Sequence, residues 1–217
     1  MTRTLLVAGV GKTIGAAVAR RFAEDGWNVA LLARSSDVTD PLAEALRERG
    51  SDALALRGDV TDREAVEAAV SRASDELGPV ECVVCNATAG GGHPFEDADA
   101  DTFRRIFEVR TLGSFHLVRA AAADLRETGG TVLFSGTTYA TRPAPEQVEW
   151  SAGAPATRGL ARTLDASRPF DVCYVRIGSA VRPPESEFSG AIGADEVAER
   201  YLELATAADP PWETLLE

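Results

Sequence analysis

The chain has 217 residues, of which 45% are hydrophobic and 26% are charged, a composition typical of globular proteins rather than disordered chains. Its formal net charge of −12 argues against a nucleic-acid partner, because proteins that bind phosphate backbones carry clustered basic residues. No apolar run has the length of a secretory signal or a membrane span, so the sequence predicts a cytoplasmic protein with no membrane partner.

Short apolar segments alternate with segments of helical spacing along the whole chain. The predicted strands cover 4–8, 28–33, 53–57, 80–85, 131–135 and 170–177, and a last edge strand is either the ETLLE segment or absent. The predicted helices cover 14–24, 41–49, 61–77, 101–126, 146–165 and 194–207, the third opening with a capping box from Thr61 to Glu64. Apolar strands separated by helices favour a parallel sheet covered on both faces. The sequence therefore predicts one α/β domain over residues 1–217, a single Rossmann-type doubly wound parallel sheet with helices on both faces.

Cys82 and Cys85 form a CVVC motif, which is a candidate redox or zinc site. They lie within a predicted strand, where side chains three residues apart point to opposite faces. We therefore interpret both as buried core residues and predict no metal site.

The stretch AGVGKTIGA at 8–16 contains the GKT of a triphosphate-binding P-loop and also three glycines, Gly9, Gly11 and Gly15. A P-loop requires a glycine five residues before Gly11, where this chain has Leu6. Neither the fourth nor the fifth predicted strand ends in an aspartate that would hold magnesium. A strand, a glycine turn and a helix are instead typical of a dinucleotide site, with the pyrophosphate at the helix N-terminus. A nucleotide triphosphatase is kept as the weaker alternative.

Three stretches, in this order, resemble the short-chain dehydrogenase/reductase family. AGVGKTIG at 8–15 is similar to the family's T-G-x-x-x-G-I-G, with Ala8 and Thr13 replacing its threonine and middle glycine. GDVTD at 58–62 matches the family's D-V pair, and CNATAGG at 85–91 stands where the family has N-N-A-G. The resemblance implies a nicotinamide cofactor bound by Gly9, Gly11, Lys12, Thr13, Ile14, Gly15, Arg34, Ser35, Asp59, Val60, Asn86 and Ala87.

The end of the second strand bears on the choice between NAD and NADP. In dinucleotide folds an acidic residue there binds the ribose 2′-hydroxyl of NAD, whereas a basic residue accommodates the 2′-phosphate of NADP. Here Ala33 stands in the acidic position, Arg34 follows it, and Lys12 adds a positive charge in the glycine loop. The sequence favours NADP over NAD, the alternative being that Arg34 is an ordinary solvated residue.

The family's reaction uses a serine, a tyrosine, a lysine four positions after the tyrosine, and an asparagine on the preceding helix. The resemblance puts Thr137, Trp150, Ala154 and Arg110, respectively, in these places. An indole N–H does not exchange its proton near neutral pH, and Lys12 is the only lysine in the chain. Positioned acid–base groups contribute about 10²–10⁴-fold to a rate. Slow turnover is therefore compatible with this sequence, whereas the conventional ketoreductase mechanism is not.

Tyr139 and His93 are candidate replacement proton donors, although a plainer interpretation makes each an ordinary loop residue. Arg110 either binds an anionic substrate or pairs with Glu146 or Glu149. The candidate catalytic residues are Thr137, Trp150 and Tyr139.

Two functions follow from the resemblance. The first is an NADP(H)-dependent oxidoreductase acting on a carbonyl or hydroxyl group of a small molecule at an atypical active site. The second is a catalytically inactive, cofactor-binding relative that acts as a redox-sensing or structural partner. The segment 179–193 stands where the family places a substrate loop, and the resemblance implies a homo-dimer or homo-tetramer formed through helices 101–126 and 146–165.

Overall fold

The computed structural model describes residues 2–167, 170–183 and 190–217. Within them the strands are β1 (Thr4–Ala8), β2 (Asn28–Ala33), β3 (Ala53–Arg57), β4 (Val80–Cys85), β5 (Thr131–Thr137), β6 (Asp171–Ile177), β7 (Val181–Arg182), β8 (Ile192–Gly193) and β9 (Glu213–Leu216). Seven of them form a parallel sheet in the order β3-β2-β1-β4-β5-β6-β9, and β7 pairs with β8. The chain order reverses between β1 and β4, which is where ligands bind in open α/β sheets.

Helices cover both faces of this sheet. They are α1 (Ile14–Glu24), α2 (Ser36–Glu48), α3 (Arg63–Leu77), α4 (Ala100–Phe107), α5 (Gly113–Thr128), α6 (Val148–Ser167) and α7 (Ala194–Thr206). One core cluster holds the buried side chains of α1, α2 and α7, and the other holds those of α3, α5 and α6. The predicted doubly wound parallel sheet with helices on both faces is confirmed. In the described part of the chain, no helix is both long and apolar enough to cross a membrane.

A π-helical turn, Glu108–Leu112, joins α4 to α5. The long helix predicted over 101–126 is thus two α-helices that meet at a local widening of the backbone. Two short 3₁₀ turns, Phe95–Asp97 and Thr138–Ala140, precede α4 and α6. Residues 184–189 of the predicted substrate segment lie outside the described residues, and its two ends form the β7–β8 pair.

Two predicted helix starts are wrong. Helix α2 begins at Ser36 and not at residue 41, because Ser35 caps it by accepting a hydrogen bond from the Asp37 amide at 3.2 Å. Pro41, which reads as a first helical residue, lies inside the helix. Helix α3 is capped by Asp62 and not by Thr61.

The two cysteines of the CVVC motif are buried on opposite faces of the sheet, as predicted. Cys82 belongs to the cluster under α1, α2 and α7, and Cys85 belongs to the cluster under α3, α5 and α6. Burial raises the pKa of both thiols, that of Cys85 to about 12. Both thiols are therefore protonated and unreactive near neutral pH.

Candidate functional site

A cleft of about 600 Å³ lies at the carboxyl ends of β1 and β2. All twelve residues predicted to contact a cofactor line this cleft, which brings together segments that are distant in sequence. Thr88, Val109 and Val181 also line it, although sequence reasoning did not single them out. Thr88 follows the Asn86-Ala87 pair directly, so the motif itself contained a signal for this residue.

Close backbone contacts shape the floor of the cleft. Gly9 has a φ of +90°, and a Cβ there would lie 2.3 Å from the amide nitrogen of Ala87. A Cβ on Gly15 would lie 2.8 Å from the carbonyl oxygen of Gly9, and Asn86 Nδ2 donates to that same oxygen at 2.8 Å. A Cβ on Gly11 would meet nothing within 4 Å. Packing therefore requires glycine at positions 9 and 15, whereas Gly11 faces the open space of the cleft.

The N-terminus of α1 borders the cleft with its first two residues, Ile14 and Gly15. The first amides of a helix have no partner within the helix, and their dipoles favour an anion. Thr13 is the N-cap, yet its side chain makes no capping hydrogen bond, so its hydroxyl remains available. Thr13 is half-buried and lines the cleft without filling it. Thr13, which stands where the family has its middle glycine, thus leaves room for a pyrophosphate group. Its hydroxyl adds a hydrogen-bond donor to that site.

Positive charges collect beyond the end of β2. Arg34 and Lys12 are exposed at the cleft, and neither has an ion-pair partner in the part of the chain that the structure describes. Arg57, at the end of the neighbouring β3, donates its Nε to the Arg34 carbonyl at 3.3 Å. This third cation was not predicted, although the pairing of β2 with β3 contained the signal for it. The three side chains suit a dianionic phosphate at this end.

Asp59 and Val60 form the wall next to these cations. One carboxylate oxygen of Asp59 accepts hydrogen bonds from the amide and the hydroxyl of Thr61, each at 2.9 Å. Behind the wall, His116 Nδ1 lies 3.2 Å from the Val60 carbonyl oxygen, and a Cβ on Gly113 would lie 2.7 Å from Val60 Cγ2. Helix α5 therefore holds this wall in place, and His116 has a packing role.

The three candidate catalytic residues lie together, and none of them is among the residues that line the cleft. Thr137 ends β5, and its hydroxyl accepts a hydrogen bond from the Tyr139 amide at 3.4 Å. The rings of Tyr139 and Trp150 meet edge to face, with their centroids 6.4 Å apart. Ala154 is fully buried in the core and offers no polar group. The region has a phenol and an indole in contact, without the lysine that the family uses.

Arg110 lies under this group of residues. It is only 6% exposed, and its Cζ lies 4.5 Å from the ring centroid of Trp150. Nη1 donates to the Thr88 hydroxyl at 3.3 Å, and Nη2 donates to the Ser135 carbonyl oxygen at 3.1 Å. Burial lowers the pKa of Arg110 from its ordinary value, but a guanidinium remains charged at neutral pH.

The alternative that Arg110 pairs with Glu146 or Glu149 is wrong, since no carboxylate among the described residues forms an ion pair with it. Glu149, 1% exposed, instead accepts a hydrogen bond from the imidazole Nδ1 of His93 at 2.9 Å. It also accepts from the amides of His93 at 2.9 Å and Asp99 at 3.4 Å. Burial alone would raise the pKa of Glu149, but these donors hold it at about 2.

His93, Asp99 and Glu149 place one potential metal-ligand atom each within 4.8 Å of one another. The Nδ1 atom of His93 and both carboxylate oxygens of Glu149 are already hydrogen-bonded, and one oxygen of Asp99 caps α4. The neighbouring Gly92 packs against α6, because a Cβ there would lie 3.0 Å from Trp150 Cδ1. The three residues therefore form a hydrogen-bonded clamp that holds the 90–93 loop against the start of α6.

The family model for short chain dehydrogenases matches residues 3–171. The chain belongs to the short-chain dehydrogenase/reductase family of oxidoreductases. It is 31% identical to versicolorin reductase stcU of Emericella nidulans over 163 residues, 75% of this chain and 62% of that protein. It is 32% identical to 7alpha-hydroxysteroid dehydrogenase of Escherichia coli over 135 residues, 62% of this chain and 52% of that enzyme. The matched regions thus span less than two thirds of these relatives.

Solved structures of the same family match the chain over its whole length. An alcohol dehydrogenase from the archaeon Thermococcus sibiricus, complexed with 5-hydroxy-NADP, superposes with a TM-score of 0.92 at 27% identity. That match covers 100% of this chain and 96% of the archaeal one. A short-chain dehydrogenase/reductase from Mycobacterium marinum gives a TM-score of 0.87 at 25% identity, covering 99% and 93% of the two chains. The family binds nicotinamide cofactors, and these relatives include an enzyme with an NADP derivative bound.

Proposed function

We propose that this protein is an NADP(H)-dependent oxidoreductase that acts on a carbonyl or hydroxyl group of a small molecule through an atypical active site. The observation that carries the proposal is the single cleft lined by all twelve predicted cofactor residues, with Lys12 and Arg34 at one end. The archaeal relative with bound 5-hydroxy-NADP supports the choice of NADP over NAD.

Each part of the cleft has a role in holding the cofactor. The glycine loop, the Thr13 hydroxyl and the first amides of α1 bind the pyrophosphate. Arg34, Lys12 and Arg57 bind the 2′-phosphate, and the free carboxylate oxygen of Asp59 accepts a hydrogen bond from the adenine. The bound cofactor supplies or accepts a hydride. The chain's own residues orient both partners and control the proton.

Proton transfer is the step for which this chain lacks the family's groups. In place of the tyrosine and lysine stand Trp150, which does not exchange its proton near neutral pH, and Ala154, which has no polar atom. Tyr139, in edge contact with Trp150, is the phenol that we assign to proton donation. We expect turnover to be about 10²–10⁴-fold slower than with the complete set of acid–base groups.

The experiment has two steps. Purified protein is first titrated with NADPH and followed by the fluorescence of the dinucleotide. A panel of aldehydes and ketones is then screened for loss of NADPH absorbance with wild-type protein and with Tyr139→Phe. Binding with slow oxidation that falls further in Tyr139→Phe supports the proposal, and Thr138→Val serves as a neighbouring control. Absence of dinucleotide binding would contradict it.

A second candidate is a catalytically inactive relative that binds the cofactor and acts as a redox-sensing or structural partner. The specific observation in its favour is that Thr137, Tyr139 and Trp150 do not line the cleft as the described residues define it. This alternative predicts tight NADPH binding with no oxidation of any carbonyl compound, and no effect of Tyr139→Phe.

We further propose that the protein forms a homo-dimer or homo-tetramer through the outer faces of α4, α5 and α6. The large exposed apolar side chains of the described residues all lie in the segment 95–115, on or next to α4 and α5. They are Phe95, Phe103, Phe107, Leu112 and Phe115. An exposed apolar face of this kind marks a protein–protein contact.

A further inference from the structure

Arg110 is a buried cation without a counter-charge. It is 6% exposed, and in the described ranges no carboxylate lies within ion-pair distance of its guanidinium. Its two hydrogen-bond acceptors, the Thr88 hydroxyl and the Ser135 carbonyl, are both neutral, and its Nε has no acceptor. Buried charges in proteins are as a rule paired, because their removal from water is costly. The missing partner is therefore a feature that needs an explanation.

The groups around Arg110 are neutral and add no negative charge. Burial raises the pKa of the neighbouring Tyr174 phenol, whereas Arg110 and the Thr137 backbone act to lower it. The Tyr174 ring lies over Gly136, where a Cβ would come within 2.4 Å of it. Trp150 covers the guanidinium with its ring. The surroundings leave the charge of the guanidinium uncompensated, so the guanidinium itself favours an incoming anion over a neutral group.

Arg110 stands directly behind the wall of the dinucleotide cleft. It belongs to the π-helical turn Glu108–Leu112, and such single turns are frequent at functional sites. The preceding residue, Val109, lines the cleft, and so does Thr88, whose hydroxyl bonds to Arg110 Nη1. The guanidinium is therefore one side chain away from the space that the cofactor and substrate would share.

We propose that Arg110 is the specificity residue of this site and that the substrate carries a carboxylate beside the carbonyl or hydroxyl group that reacts. A planar guanidinium matches a carboxylate in shape as well as charge, and the Thr88 hydroxyl supplies a further donor at the cleft wall. That this carboxylate compound is a substrate rests on the proposed oxidoreductase function. The binding of a carboxylate at Arg110 does not depend on turnover.

The test compares each of several carboxylates, from acetate and pyruvate to benzoate, with its neutral amide. Binding is followed by tryptophan fluorescence in the full-length protein with NADP⁺ present, and Trp150→Phe identifies the signal of the stacked indole. We expect the carboxylates to bind about tenfold or more tightly than the amides, as for a charge-assisted hydrogen bond. Arg110→Met should lose this preference and Arg110→Lys should keep part of it. Equal binding of acids and amides, no binding of either, or an unchanged preference in Arg110→Met would overturn the proposal.

Thermal unfolding separates a ligand-binding role from a structural one. An apolar side chain of similar volume often matches or improves on a buried charge. Without added anion, Arg110→Met should therefore unfold at the same or a higher temperature than wild type, and carboxylates should raise the unfolding temperature of wild type alone. A lower unfolding temperature in Arg110→Met, with no effect of carboxylates on wild type, would mean that Arg110 only supports Trp150. The NADPH titration tests the proposed function alone. A protein that does not bind NADPH contradicts that function, whereas the comparison of carboxylates with amides tests the role of Arg110.

Discussion

The Cζ of Arg110 lies 4.5 Å from the ring centroid of Trp150, so a cation stacks on the side chain that stands where the family has its tyrosine. An aromatic group beside a cation is thus present at the catalytic position, but neither group transfers a proton near neutral pH. In the proposed function, the cofactor lies in the cleft that ends at Lys12 and Arg34, and the substrate lies on the side of Arg110.

Substitution of Gly9 and of Gly11 should distinguish a glycine that packing requires from one that borders the open space of the cleft. Gly9→Ala should lower the free energy of unfolding by about 1–3 kcal/mol or more, because φ is +90° and the new Cβ would clash with the Ala87 amide. Gly11→Ala is the matched control, since its Cβ would meet nothing within 4 Å, and its stability should equal that of wild type. Urea unfolding measures both. An equal loss of unfolding free energy in Gly9→Ala and Gly11→Ala would contradict the close contact between Gly9 and Ala87.

The His93–Glu149 pair should make stability depend on pH in a defined window. Hydrogen bonding to Glu149 raises the pKa of His93 above its ordinary 6.5. The stability that the charged imidazole contributes is therefore fully present below pH 6.5 and is lost as pH rises through the raised pKa. The pKa of Glu149 falls from 4.5 to about 2, so its contribution is present above pH 4.5 and is lost as pH falls toward 2. The pair therefore stabilises the fold most between pH 4.5 and 6.5.

The measurement is the difference in unfolding free energy between wild type and His93→Asn across this pH range. We expect the difference to be largest between the two ordinary pKa values and to shrink on either side. His116→Asn, at the other histidine of the chain, is the control and should show no such maximum. A difference that stays constant with pH would mean that the ring of His93 is not ion-paired.

The exposed phenylalanines of α4 should determine the assembly state. Phe103→Ser combined with Phe107→Ser should convert the oligomer into a monomer, because the pair removes apolar surface from the proposed contact. Light scattering after size exclusion gives the mass directly. Arg72→Gln, on the exposed surface of α3, should leave the mass unchanged. A wild-type protein that is already monomeric at the same concentration refutes this assignment.

Much of the fold could be predicted because its signals are local. The four strands at the centre of the sheet are predominantly apolar, and their observed bounds differ from the predicted ones by two residues at most. Among the helices, the start of α2 was predicted wrongly, because Ser35 and not Pro41 marks it. The cap contact between Ser35 and Asp37 is local too, but the proline is a stronger sequence signal for a first turn.

The candidate site was harder to predict because its contacts join distant segments. The cleft residues follow from motif positions, yet the partner of Glu149 is His93, 56 residues earlier, and not Arg110. The sequence showed that Arg110 stands in the place of an asparagine, but only the packing shows that it is buried without a counter-charge. Charge pairing between helices and loops depends on side-chain directions that periodicity does not define.

Titration of the protein with NADPH and with NADH, followed by dinucleotide fluorescence, shows whether the cleft holds NADP(H). We expect NADPH to bind about tenfold or more tightly than NADH, because the 2′-phosphate gains charge-assisted hydrogen bonds. Arg34→Ala should remove most of this preference, whereas Arg49→Ala, at the opposite end of α2, should retain it. Equal affinity for the two dinucleotides, or binding of neither, would contradict the assignment of NADP(H) to this cleft.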